Sequence, residues 1–226
     1  MLEGKKILII SAHPDDEAIC CGGLIMLAKK YRAQVKVLFM AVGLSRQLLT
    51  GKTTANQRIP EIKKASKFGN YEYSIKYQGE QFMRLDTVAQ KDLIDTIEDT
   101  NRAFKPELVC IPFINSFDQD HRAVSQASIA AFRPVPKNLQ HQPKIILEYE
   151  EPYSWNSGSI FQPNWYFDIS KVLDEKLELL KCHKTQLRDD PFPRSQGNLK
   201  RLAGLRGAEI STQYAEAYHL IKGQLL

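Results

Sequence analysis

The sequence is poor in cysteine, with four in 226 residues and no Cys-x-x-Cys pair. That is no disulfide framework at this length. Cys20 and Cys21 are adjacent, and Cys110 and Cys182 lie in apolar segments, so buried free thiols in a reducing compartment are expected. Long hydrophobic runs are also missing. Residues 7–10 form one of the longest, far short of the ~20 residues that span a bilayer. No apolar leader precedes the first strand-like run, so a cytoplasmic protein is expected, with no membrane partner. The net charge of +5 comes from scattered pairs such as Lys5-Lys6, Lys29-Lys30 and Lys63-Lys64. Without a basic block or an aromatic-basic motif, nucleic acid is not an expected partner. Gly-x-Gly-x-x-Gly is absent after every strand-like run, which counts against a dinucleotide-binding oxidoreductase. Cys21-Gly22-Gly23 falls inside a helical segment and does not replace it.

What is present is an ordinary globular composition, 43% hydrophobic and 25% charged, which excludes a disordered chain. Short apolar runs alternate with helical periods. Strands are expected at Lys6–Ser11, 35–40, 71–77 and Leu108–Ile111; helices at 17–31, 58–68, 87–104 and 122–132. This alternation predicts βαβ units, an α/β fold with a mostly parallel sheet, and helices on both faces. Beyond residue 140 the spacing changes. Strands are expected at 144–149 and 165–169, helices near 172–184, 196–205 and 212–221, and a loop at 189–193. The simplest organisation is one domain over residues 1–226, with a core at 1–140 and an elaboration at 141–226 that completes the site.

Two clusters carry chemistry. The first strand runs into Ala12-His13-Pro14-Asp15-Asp16-Glu17 at its carboxyl end, where ligands collect in open α/β sheets. Pro14 holds His13 extended and suits the first turn of a helix. The acidic triplet could serve only the helix N-terminus. A second cluster, Asp118-Gln119-Asp120-His121, argues for more, because it follows strand Leu108–Ile111 at the matching place. His13, Asp16 and His121 would form a two-histidine, one-carboxylate zinc site with a position left for water. Another divalent metal also suits such a mixed nitrogen and oxygen set. Asp15 is then a spare carboxylate able to act as general base, and Asp120 could orient a ligand. His141, His183 and His219 are read as structural, the last two in helices.

These residues resemble the PIG-L/LmbE-like zinc-dependent N-deacetylases, and the resemblance runs along almost the whole chain. The strand followed by Ala12-His13-Pro14-Asp15-Asp16-Glu17 looks like that family's signature. Arg58-x-x-Glu61, Phe82-Met83-Arg84-Leu85-Asp86, Arg206-Gly207 and Tyr214-Ala215-Glu216-Ala217-Tyr218 look like further family segments. Asp168-Ile169-Ser170, Gln186 and Pro193-Arg194-Ser195 resemble a branch of bacterial sugar-pathway deacetylases. The resemblance implies a Rossmann-like three-layer αβα sandwich and removal of acetyl groups from N-acetylated amino sugars or their conjugates. It implies His13, Asp16 and His121 as zinc ligands, Asp15 as general base and Arg58 as a substrate contact. Arg58 and Arg194 could meet an anionic group on the sugar, whereas Arg206 is read as pairing with acids of the fold. Two departures stand out. The second motif is usually His-x-Asp-His, but here its first position is Asp118, so this carboxylate, or Asp15 alone, must protonate the leaving amine. Phe192 stands where the related branch often has histidine. The alternative to an enzyme is a metal-binding module with lost or altered catalysis. The oligomeric state is left open, a homo-oligomer included.

Overall fold

The computed structural model describes residues 2–47, 51–136, 138–152 and 160–224. Strand β1 (Lys6–Ser11) leads to helix α1 (Asp16–Lys30), β2 (Gln34–Val42) and a small antiparallel pair, β3 (Ser45–Gln47) with β4 (Gly51–Thr53). Helix α2 (Ala55–Gly69), β5 (Glu72–Gln78), α3 (Gln90–Phe104), β6 (Leu108–Ile111) and α4 (Gln119–Ala131) follow. The chain then forms β7 (Ile145–Tyr149), β8 (Trp165–Asp168), α5 (Leu173–Lys181), α6 (Gln196–Glu209) and β9 (Ala215–Gly223).

Seven strands form one sheet in the order β5-β2-β1-β6-β7-β9-β8. The first five are parallel, and β9 runs antiparallel to both of its neighbours. Strand β1 is buried on both faces, which is why its sequence reads as an unbroken apolar run. Ile7 and Ile9 enter a core with Leu24, Ile25 and Leu179. Leu8 and Ile10 enter a second core with Leu93, Ile97 and Val124 on the other face. Helices therefore cover both faces, and the α/β class with its mostly parallel sheet is as the sequence predicts.

Helix α1 is buried from Asp16 to Ala28, so it has no polar face. Its Gly22-Gly23 pair serves close packing. A Cβ on Gly23 would lie 2.5 Å from Ile169 Cγ2 and 2.9 Å from the Glu216 carboxyl carbon. The bare backbone lets Glu216 accept from the Gly23 and Leu24 N–H groups at 2.6 and 2.8 Å, while Lys176 Nζ donates to the same carboxylate at 2.6 Å.

One element is a correction. The helix expected at 212–221 is strand β9, so His219 sits on a strand. Alanine and glutamate in Ala215-Glu216-Ala217 favour a helix locally. Pairing with β7 on one side and β8 on the other overrides that preference, and burial of residues 215–218 rewards it. The expected helix at 172–184 ends at Lys181, and a separate 3-10 turn, Lys184–Gln186, follows. No helix among the described residues is long and apolar enough to cross a membrane.

Candidate active site

The strand order reverses between β1 and β6, and both sequence clusters open at the carboxyl ends of those two strands. Such a switch point is where parallel α/β sheets leave a crevice. Here it is a cavity of about 270 Å³, lined by His13, Asp15, Asp16, Asp118 and His121 among others. One donor atom from each of His13, Asp16 and His121 lies within 4.8 Å of the other two. The structure thus brings together residues more than 100 positions apart.

Each histidine is oriented from behind. His13 Nε2 is 2.9 Å from Asp120 Oδ2, which leaves Nδ1 as the ring nitrogen that could hold a metal. Asp120 is itself fixed by the Leu85 N–H at 2.8 Å. His121 Nδ1 is 2.8 Å from Glu151 Oε1, and its Nε2 is 3.4 Å from Asp16 Oδ2. Donors ~2.0–2.2 Å from a tetrahedral zinc ion sit about 3.4 Å apart, so this pair already has the spacing a metal requires. The backing carboxylates are the partners that metal-bound histidines ordinarily have. The donor set therefore fits a divalent metal. Burial raises the Asp16 carboxyl pKa, but His121 and His13 outweigh it and hold the value at about 2. Burial lowers the His121 pKa, yet Asp16 and Glu151 carry it well above the ordinary histidine value.

Asp15 is the N-cap of α1 and has a left-handed backbone, φ 100° and ψ −24°. For a residue with a Cβ such a conformation costs about 1–3 kcal/mol and persists only where its surroundings impose it. The Asp15 carboxylate is met by two guanidinium groups: Arg58 Nη2 at 3.1 Å on Oδ1 and Arg194 Nη1 at 2.7 Å on Oδ2. Arg58 comes from α2 and is buried; Arg194 comes from the loop before α6 and is partly exposed. Both line the cavity, so the acid they pair with is the candidate base itself. Asp118 is the N-cap of α4, and its Oδ1 accepts from the Asp120 and His121 N–H groups at 2.8 and 3.4 Å.

Other groups are less suited to chemistry. Cys20 lines the cavity, but burial and the Asp16 and Glu151 carboxylates push its thiol pKa well above the ordinary value, which argues against a thiolate nucleophile. Arg206 pairs with Glu150 and Glu209, as expected of a fold residue. Tyr218 is fully buried, with its hydroxyl donating to Glu216 at 2.9 Å. Two large apolar side chains, Met83 and Phe117, are exposed at the cavity mouth, and Phe82 packs 4.7 Å from the His13 ring.

Glu151 lies outside both sequence clusters. It accepts from Ser116 Oγ at 2.6 Å as well as facing His121. Its position was a usable signal, since it follows the carboxyl end of β7 just as the two clusters follow β1 and β6. Glu17, to which the sequence assigns no partner, bonds to His183 Nε2 at 2.6 Å and Tyr71 Oη at 3.0 Å.

Known proteins bear on this geometry. A diacetylchitobiose deacetylase of Thermococcus kodakarensis is 24% identical over 98% of this chain and 85% of its own. An uncharacterized deacetylase, YaiS, of Escherichia coli is 30% identical over 80% of this chain and 91% of its own. In shape, the 4-carboxy-2-hydroxymuconate hydratase GalB of Pseudomonas putida superposes with a TM-score of 0.76 over 98% of each chain, at 20% identity. The last likeness shows the fold alone, and it shows that this fold carries more than one reaction. A protein-family model described as "PIG-L: GlcNAc-PI de-N-acetylase" matches residues 8–132, a span that holds His13, Asp15, Asp16, Arg58, Asp118 and His121. With more than half of its length matched, this chain belongs to the PIG-L family.

Proposed function

We propose that this protein is a metal-dependent hydrolase, zinc being the metal that suits it best, which removes an acetyl group from the nitrogen of an amino sugar or sugar conjugate. One observation carries the reading. A single crevice holds three convergent metal-type donors, His13, Asp16 and His121, beside the Asp15 carboxylate. The family description and the name of the Thermococcus kodakarensis relative supply the substrate class; the fold alone would not.

Held by His13, Asp16 and His121, a divalent ion supplies Lewis acidity toward an acyl carbonyl and lowers the pKa of water toward ~7. Asp15 takes the proton from the attacking water and returns it to the departing amine. Arg58, buried, braces the Asp15 carboxylate, while Arg194 is the more exposed cation and can meet an anionic substituent of the substrate. Asp120 and Glu151 keep the two imidazoles aimed at the crevice. Asp118 fixes the start of α4 and thereby the backbone of His121. Met83 and Phe117, exposed and lining the same cavity, add apolar surface suited to the less polar face of a sugar or its aglycone.

The test pairs metal content with turnover. The wild-type protein is expected to hold about one zinc per chain and to release acetate from N-acetylglucosamine conjugates. Asp15→Asn should keep the metal and lose roughly 10²–10⁴-fold in kcat. His121→Ala should lose the metal. A metal-loaded wild type that releases acetate from no N-acetyl sugar would favour the metal-binding module instead.

A further inference from the structure

We propose that Glu17 is a positioning residue whose task is to hold Asp15 in its left-handed conformation; this rests on the reading of Asp15 as the base. The strained backbone requires a cause. The two arginines on the Asp15 carboxylate touch a side chain that can rotate, so they do not by themselves fix the main chain. The Pro14–Asp15 peptide, however, is gripped at both ends. Its N–H, on Asp15, donates to Glu17 Oε2 at 3.0 Å. Its carbonyl, on Pro14, accepts from Arg58 Nη2. A carboxylate on the N–H side and a guanidinium on the carbonyl side set the tilt of this peptide plane. With the start of α1 fixed beyond it, the plane determines φ at Asp15.

Glu17 can impose this because it is itself immobilised. Its side chain is fully buried. Its second oxygen, Oε1, receives the Tyr71 O–H at 3.0 Å from the chain entering β5, and His183 Nε2 at 2.6 Å from the turn after α5. Among the described residues His183 Nδ1, which is buried, has no hydrogen-bond partner, and the ring bonds through Nε2 to Glu17. Three donors therefore converge on one carboxylate, and an ionised carboxylate is the acceptor-only group that can satisfy all three. Being wholly enclosed, Glu17 cannot touch substrate. Its influence on the reaction runs through the Asp15 backbone.

Glu17→Gln is nearly isosteric, but its amide must turn an N–H₂ toward at least one of the three donors. Crystal structures of the metal-loaded wild type and of this variant read the proposal without any assay. Asp15 is expected to leave the left-handed region and its pairing with Arg194 to break, while His13, Asp16 and His121 stay in place. Zinc stoichiometry is expected to be unchanged, and kcat to fall about 100-fold with KM within threefold, since a 1 Å misplacement costs about that much. Asp15 found at its wild-type φ in the variant overturns the proposal, whatever the substrate proves to be. If Glu17→Gln does not fold, Tyr71→Phe removes a single donor and leaves the packing. A smaller fall in kcat of about 3–10-fold, again without change in KM or metal content, supports the clamp, and wild-type kcat overturns it. Failure of the wild type to release acetate would sink the deacetylase reading while leaving the crystallographic comparison intact.

Discussion

Asp118 shows how one carboxylate can be asked to do two jobs. It stands where the family motif usually carries a histidine, and it lines the cavity. Its Oδ1, however, is committed to two N–H groups at the start of α4. Serine also makes a good N-cap but carries no carboxyl proton. Asp118→Ser is therefore expected to keep stability and most of kcat, whereas Asp118→Ala should lose about 1 kcal/mol of stability, the usual value of an N-cap. Urea unfolding and steady-state kinetics on both variants separate the roles. A stable Asp118→Ser protein with kcat down a hundredfold or more would make Asp118 the acid for the leaving amine.

At the scale of elements, what could be read from the sequence depended on how many faces each element buries. Strands β1 and β6, covered on both faces, announce themselves as unbroken apolar runs, and their bounds are those the pattern predicts. The metal-type residues follow directly, because they occupy the turn and the helix starts that come after those strands. Strand β9 did not announce itself. Its buried Glu216 is a polar residue satisfied by Lys176 and by two α1 N–H groups, contacts 40 and more positions away that no local window contains. Glu17 and His183 were opaque for the same reason, being 166 positions apart. That pair ties the turn after α5 to the first turn of α1 and should give stability a definite pH dependence. Burial lowers the His183 pKa, but the Glu17 carboxylate outweighs it and raises the folded value above the ordinary 6.5. A group raised in this way stabilises fully below about 6.5, and the contribution is lost as pH rises through the folded value. His183→Ala is expected to cost about 3–5 kcal/mol at pH 6, as breaking a buried pair does, and less at pH 9. Urea melts of both proteins at the two pH values measure this; a gap that widens toward pH 9 would contradict it.

At the scale of the whole molecule, the site is a joint between the two halves of the sheet. His13 and Asp16 come from the β1–α1 turn, and His121 from α4 after β6, on either side of the point where strand order reverses. The unfolded chain leaves His121 more than 100 residues from His13 and Asp16, so it has no comparable affinity for a metal. A ligand that binds only the folded state stabilises it by mass action. With free zinc at a hundred times its dissociation constant, that amounts to about 2.7 kcal/mol. In a chain of this size each kcal/mol moves Tm by roughly 2–4 °C, so the expected rise is roughly 5–10 °C. Glu151→Gln should reduce the rise without removing it, because His121 keeps its place on α4 but loses the carboxylate that orients its ring. His121→Ala should abolish the rise. Thermal melts of chelator-treated protein, with and without zinc, measure all three. An equal rise in wild type and His121→Ala would mean that zinc binds elsewhere, and the two sequence clusters would then share a crevice without sharing an ion.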